Sequence, residues 1–209
     1  AMKSIPSLLN TVFLFITTLC LSFQFQVHGQ KKLTALRVNQ DRLEKSIFKL
    51  AEFEKDESGM TSRVAFSDAD LAGREYVMSL MKNAGLEVSI DYAGNIIGKR
   101  EGRKQNLKTI AFGSHIDMVP NGGNYDGCVG SMAGIEIMTL LHEMDWQTDH
   151  PLELIIFSNE EGGVMGSRAL AGELGAEALK LKNSTGYTMA EGIDRLGGDS
   201  KKLDQVVRK

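Results

Sequence analysis

Apolar positions recur at helical spacing in two places near the start of the chain. Leu43, Ile47, Leu50 and Ala51 predict a helix over 40–53, with Asn39 able to cap its start. Ser67 and Asp70 resemble a capping box, and Val77, Leu80, Met81 and Ala84 continue a second stripe that Gly85 stops. The segment between them, "KDESGMTSR", reads as loop. The period then shortens to two: "LEVSID", Leu86 to Asp91, alternates as a half-buried strand does, "YAG" turns, and "NIIGKR" begins its partner. After "EGRKQN" comes a continuous apolar run, "TIAFGS", Thr109 to Ser114, which predicts a strand covered on both faces.

A glycine-rich loop, 121–130, leads into a helix predicted from Ser131 to Met144, and "LELIIFS", Leu152 to Ser158, is the next buried strand. Strand, helix and strand in that order make a βαβ unit with parallel strands, so their C-terminal ends share one edge. Beyond Gly162 the pattern weakens into short helices around 166–174, 189–196 and 201–208. There is no internal repeat and no GxGxxG fingerprint.

With 209 residues and 42% hydrophobic content, the chain can bury the core of one domain. A net charge of -3, with Lys and Arg dispersed, gives no reason to expect nucleic acid or an anionic membrane as partner. Residues 1–29 read differently from the rest. Lys3, the apolar stretch "LLNTVFLFITTLCLSF", and Val27 and Gly29 at small-residue positions predict a signal peptide cut after Gly29 and an exported, periplasmic or secreted protein. Its loss would remove Cys20 and leave Cys128 as the sole thiol, with no internal disulfide. Cys128 reads as a small buried residue rather than a ligand.

The chemistry gathers at the ends of the two strands. "GSHIDMVPNGGNYDG", Gly113 to Gly127, brings His115, Asp117 and Asp126; "FSNEEGG", Phe157 to Gly163, brings Glu160 and Glu161. Singly, each has an ordinary explanation: a strand-end histidine on a carbonyl, turn aspartates beside glycine, solvated glutamates. Together, at the edge where open α/β sheets bind ligands, one imidazole and several carboxylates make a site for zinc, manganese or a similar ion. Adjacent glutamates diverge, so one can bind metal while the other serves as general base toward metal-activated water. His115 and Asp117, two apart on extended chain, face the same side and can act together.

"GSHIDMVPNGGNYDG", "NEEGG" and "GSRALAG", with "SDADLAGREYVMSLMKNAGLEVSIDYAGNIIGKREG", resemble the co-catalytic metallohydrolases: N-carbamoyl-L-amino-acid hydrolases, allantoate amidohydrolases and related zinc peptidases. The likeness runs from about Arg37 to Leu174 and is greater to the carbamoylase and allantoate branch. It implies two divalent metal ions, Zn or Mn: His115 on one, Asp126 bridging, Glu161 on the second. It also implies catalytic roles for Glu160 as general base and for Asp117, which orients or polarises the His115 side.

The fold so implied is α/β, a zinc-peptidase-like three-layer sandwich with a mostly parallel mixed sheet. The family's other two histidines and its lid and dimerisation domain have no counterpart here, and His142 and His150 are poor replacements. Residues 30–209 therefore read as a partial, truncated catalytic domain, without the homodimer of full-length relatives and, after signal cleavage, without a membrane. "GGVM" before Gly166 is shorter than the loop of many carbamoylases. The expected activity is cleavage of a C–N bond in N-carbamoyl amino acids or ureido compounds such as allantoate. The alternatives are a metallopeptidase of the same family and a catalytically inactive metal-binding fragment.

Overall fold

A hairpin and a βαβ unit share one sheet. The computed structural model describes residues 36–53, 62–104 and 106–208. The segment read as a signal peptide and most of the "KDESGMTSR" loop lie outside the described residues. The chain divides at Arg37, and the unit from Val38 onward carries every element below.

Helix α1, Gln40–Leu50, starts at Asn39, whose side chain accepts the Arg42 N–H at 3.0 Å. Its inward stripe buries Ile47 and Leu50. Helix α2, Asp68–Asn83, is capped by Ser67 through the Asp70 N–H. The expected capping box is half formed, because the Asp70 carboxylate accepts the Phe66 N–H at 2.8 Å instead of the cap residue's own. Gly85 ends the helix at φ +76, a conformation that side chains resist, with the His142 ring against its α-carbon.

Strands β1, Glu87–Ile90, and β2, Ile96–Arg100, pair antiparallel across a turn closed by Asp91, which accepts the N–H groups of Ala93 and Asn95. Strand β3, Ile110–His115, helix α3, Cys128–Glu143, and strand β4, Leu152–Phe157, form the βαβ unit, with β3 and β4 parallel. The order is β1-β2-β4-β3. The sheet is mixed and mostly parallel in direction, as expected: β1, β3 and β4 run one way, and β2 alone runs antiparallel to its neighbours β1 and β4. The short turn after β1 permits only a hairpin, so parallel pairing is confined to the strands that a crossover helix joins.

Ile96, Leu152, Leu154 and Ile156 meet α1, α2 and α3 on one face. Ile97 and Ile155 meet α4, Met165–Ala171, and the 3-10 turn Leu203–Val206 on the other, giving the expected three layers. Gly134 permits the close approach of α3 to the sheet; a Cβ there would stand 2.6 Å from Leu154. Helix α5, Met189–Arg195, buries Ile193 with Phe66 in a smaller cluster.

One strand departs from its expected environment. β4 is buried along most of its length, but β3 is not: Ile110 is 50% exposed, and Ala111 and Gly113 are exposed too. β3 is an edge strand among the described residues, whereas β4 has a partner on each side. An apolar run alone cannot distinguish the two positions. Among the described residues no helix is long and apolar enough to cross a membrane.

Candidate metal centre

β3 and β4 run parallel in register, with His115 opposite Phe157, so the chain leaves both strands at the same edge. His115 is the last residue of β3 and is buried; Ser131 of α3 donates to its carbonyl at 2.8 Å. Its ring Nδ1 stands 3.1 Å from the Asp117 carbonyl. That bond assigns the proton to Nδ1 and leaves the Nε2 lone pair facing outward, the tautomer a metal ligand needs.

Asp126 arrives on the loop before α3, and Gly127 is the reason it can lie so near the ring. Gly127 has φ +62, and a Cβ there would fall 2.3 Å from Nε2 of His115. Backbone thus occupies space next to the imidazole that a side chain would deny it. Glu160 and Glu161 follow β4 in a tight bend. Asn159 and Val164, neither of them glycine, both take left-handed φ values, +47 and +50. The Glu160 carbonyl closes the bend by accepting the N–H groups of Gly163 and Val164.

These paths converge. A ring nitrogen of His115 and one carboxylate oxygen each from Asp126 and Glu161 lie within 4.8 Å of one another. Glu160 stands beside the group, its Oε2 3.6 Å from Nε2 of His115 and its side chain one-third exposed. One imidazole and two hard oxygen donors suit zinc or manganese, and the lone pair left free on Nε2 completes a donor set that fits a divalent ion.

Asp117 does something that its spacing did not indicate. Its carboxylate is buried and accepts the N–H of Glu160 at 3.2 Å and of Glu161 at 3.1 Å, which ties the β3 exit to the β4 exit. Its Oδ1 is 3.6 Å from Nδ1 of His115, so the histidine is held by the residue's carbonyl more closely than by its carboxylate. Burial pushes the Asp117 carboxyl up to about 6 and the Asp70 carboxylate adds to this, while His115 and the two N–H donors pull the other way.

Two residues outside the predicted set shape the site. Asn95 is fully buried; its Oδ1 accepts the Ser158 N–H at 3.0 Å, and its Nδ2 donates to Asp91 at 2.8 Å and to the Gly166 carbonyl at 3.2 Å. It grips both ends of the Glu160–Glu161 bend. Arg63 is fully buried below the β3 exit. Neither was legible locally: Arg63 ended a polar loop, and Asn95 stood at the first position of a strand. His142 and His150 lie elsewhere, His142 against Gly85 and His150 on the Lys108 carbonyl.

Residues 95–199 match the model for peptidase family M28. The chain belongs to peptidase family M28. Among its relatives, an N-carbamoyl-L-amino acid amidohydrolase of Geobacillus stearothermophilus is 38% identical over 174 residues, covering 81% of this chain and 42% of that protein. A ureidoglycolate hydrolase of Arabidopsis thaliana is 42% identical over 154 residues, 70% of this chain and 32% of its own length. A hydantoinase/carbamoylase family amidase of Burkholderia ambifaria superposes with a TM-score of 0.73 at 32% identity, covering 78% of this chain and 42% of that one. The resemblance read from the motifs is thereby borne out, as is the metal dependence it implied for the family. This M28 chain spans about two fifths or less of the length of the curated relatives named here.

Proposed function

We propose that this chain carries the metal centre of an amidohydrolase that cleaves a C–N bond in N-carbamoyl amino acids or related ureido compounds. The observation that carries the proposal is the convergence of His115, Asp126 and Glu161, with a third carboxylate, that of Glu160, beside them. His115, Asp126 and Glu161 would hold the divalent metal, which the family resemblance makes two ions of Zn or Mn. An ion held there supplies Lewis acidity toward the substrate carbonyl and lowers the pKa of water to about 7.

The chain's own groups do the rest. Glu160 takes a proton from the attacking water and returns it to the departing nitrogen; the C–N bond breaks and the water oxygen ends on the carbonyl carbon. Asp117 keeps both glutamates in place through their N–H groups and fixes the His115 tautomer through its own carbonyl. The small-molecule substrate class is supported by the names of the amidohydrolase and ureidoglycolate hydrolase relatives. A metallopeptidase is the second reading, supported by the name of the family. Export, proposed with the activity, is supported by the character of residues 1–29.

The test is a substrate panel on Mn- and Zn-loaded protein, scoring ammonia from N-carbamoyl-L-amino acids and free amine from dipeptides. Ammonia release without dipeptide cleavage is expected. Dipeptide cleavage alone supports the second reading, and turnover unaffected by Glu160→Gln removes the base from the mechanism.

A further inference from the structure

Among the described residues Arg63 makes four hydrogen bonds, each ending on a segment next to the metal centre or on a helix that packs behind it. Its Nε donates to the Ile116 carbonyl at 2.8 Å, between His115 and Asp117. Its Nη1 donates to the Leu50 carbonyl at 2.7 Å, at the end of α1. Its Nη2 lies 3.2 Å from Sγ of Cys128, the first residue of α3 and two beyond Asp126. Its backbone carbonyl accepts the Met118 N–H at 2.9 Å, so one residue brackets Asp117 from both sides. Gly73 of α2 makes room for it; a Cβ there would sit 2.8 Å from Cδ of Arg63.

A guanidinium remains charged in any protein, and burying it without a salt-bridged carboxylate is costly. Volume alone does not require it, since an apolar side chain of similar size commonly stabilises a core as well or better. What an apolar residue cannot do is hold three acceptors from three elements in a fixed fork. Two of those acceptors, the Ile116 carbonyl and Cys128 Sγ, lie on the segments that deliver His115, Asp117 and Asp126, and the third, the Leu50 carbonyl, ends the helix packed behind them.

We propose that Arg63 is a positioning residue for the metal centre: its fork locks the β3 exit to α1 and to the start of α3, and thereby sets the placement of His115 and Asp117. This rests on the metal-site reading above, but its effect on His115 can be observed without metal.

The experiment uses the full chain, stripped by chelator, as wild type, Arg63→Lys, Arg63→Met and a core control, Val77→Ala. Val77 is fully buried on α2, and its apolar side chain offers the site neither a ligand atom nor a hydrogen bond. Titration calorimetry with Mn(II) gives affinity, thermal melting gives fold stability, and 15N shifts of the His115 ring in metal-free protein give its tautomer. Arg63→Met should bind Mn(II) about 10 to 100-fold more weakly, the size of effect seen when groups supporting metal ligands are lost. Arg63→Lys, which can reach only part of the fork, should weaken binding too, and in both variants the single Nδ1–H form of His115 should become a mixture.

Val77→Ala should lower the melting temperature yet keep Mn(II) affinity and the tautomer. Should Arg63→Met not fold, Arg63→Lys carries the same comparison. Unchanged tautomer and affinity in Arg63→Lys overturn the proposal, as does an equal loss of affinity in Val77→Ala. Wild type that binds neither Mn(II) nor Zn(II) overturns the metal-site reading, while the tautomer measurement still decides whether Arg63 positions His115.

Discussion

Changing Gly127 to alanine adds one methyl group at the point where Asp126 is delivered to His115. Two penalties follow. The backbone sits at φ +62 and ψ -45, outside the left-handed helical region, and a residue with a Cβ held in so sparsely populated a conformation costs about 1–3 kcal/mol. The methyl carbon would also fall 2.3 Å from Nε2, 2.4 Å from Cε1 and 2.5 Å from Cδ2 of His115. Carbon contacts are comfortable at about 3.5–4.0 Å, so the ring or the loop must give way by about 1 Å. His115 cannot absorb this easily, since its ring is bonded to the Asp117 carbonyl and its backbone carbonyl to Ser131. Misplacing a reacting group by about 1 Å costs on the order of 100-fold in rate, and zinc–nitrogen bonds near 2.0–2.1 Å are no more forgiving. Gly127→Ala should therefore lose Mn(II) affinity in calorimetry and ammonia release in the carbamoyl assay by about two orders of magnitude. Gly123→Ala is the matched control in the same loop: nothing lies within 4 Å of its Cβ, and its φ is not positive. Gly127→Ala with wild-type affinity and rate would refute the geometry on which the site is built.

Glu160→Gln should keep its metal and lower kcat by about 10²–10⁴-fold, as loss of a general base does, with metal content and steady-state rates as the readout. Asn95→Ala leaves the Ser158 N–H and Gly166 carbonyl without their buried partner and should cost about 1–3 kcal/mol of stability in denaturant melts. Removing the ion with a chelator should lower the melting temperature, because saturation at 100 times the dissociation constant is worth about 2.7 kcal/mol. Glu136 tests the α1–α3 contact: burial opposes its charge, but the Arg42 guanidinium and the Asn39 N–H outweigh that and hold it below the ordinary glutamate value. Its contribution is therefore full above the unfolded value of about 4.3 and is lost as pH falls through the lower folded one, so the stability advantage of wild type over Glu136→Gln should fade as pH drops below about 4.3.

Helical and strand periods, being local, located nearly every element that positions the site, and both motif-bearing strands ended where expected. What escaped was set by contacts distant in sequence. Helix α3 begins at Cys128 and not Ser131 because its cap, Gly127, holds no side-chain bond that a cap signature could announce. The exposure of β3 depends on which strands flank it. Spacing correctly put Asp117 beside His115, but the bonds from its carboxylate run to Glu160 and Glu161, 43 and 44 residues away. Arg63 and Asn95 act at separations of 53 and 63 residues, beyond the reach of any period or motif.

The bend from Phe157 to Gly166 contains two non-glycine residues with φ near +50 and is fastened by side chains from elsewhere in the fold, chiefly Asp117 and Asn95. A synthetic peptide of those ten or so residues would lack the fasteners and keep the strain, so it should sample extended shapes in solution. Transplanting this hydrolytic motif into another scaffold would therefore mean carrying over its remote anchors as well as its two glutamates.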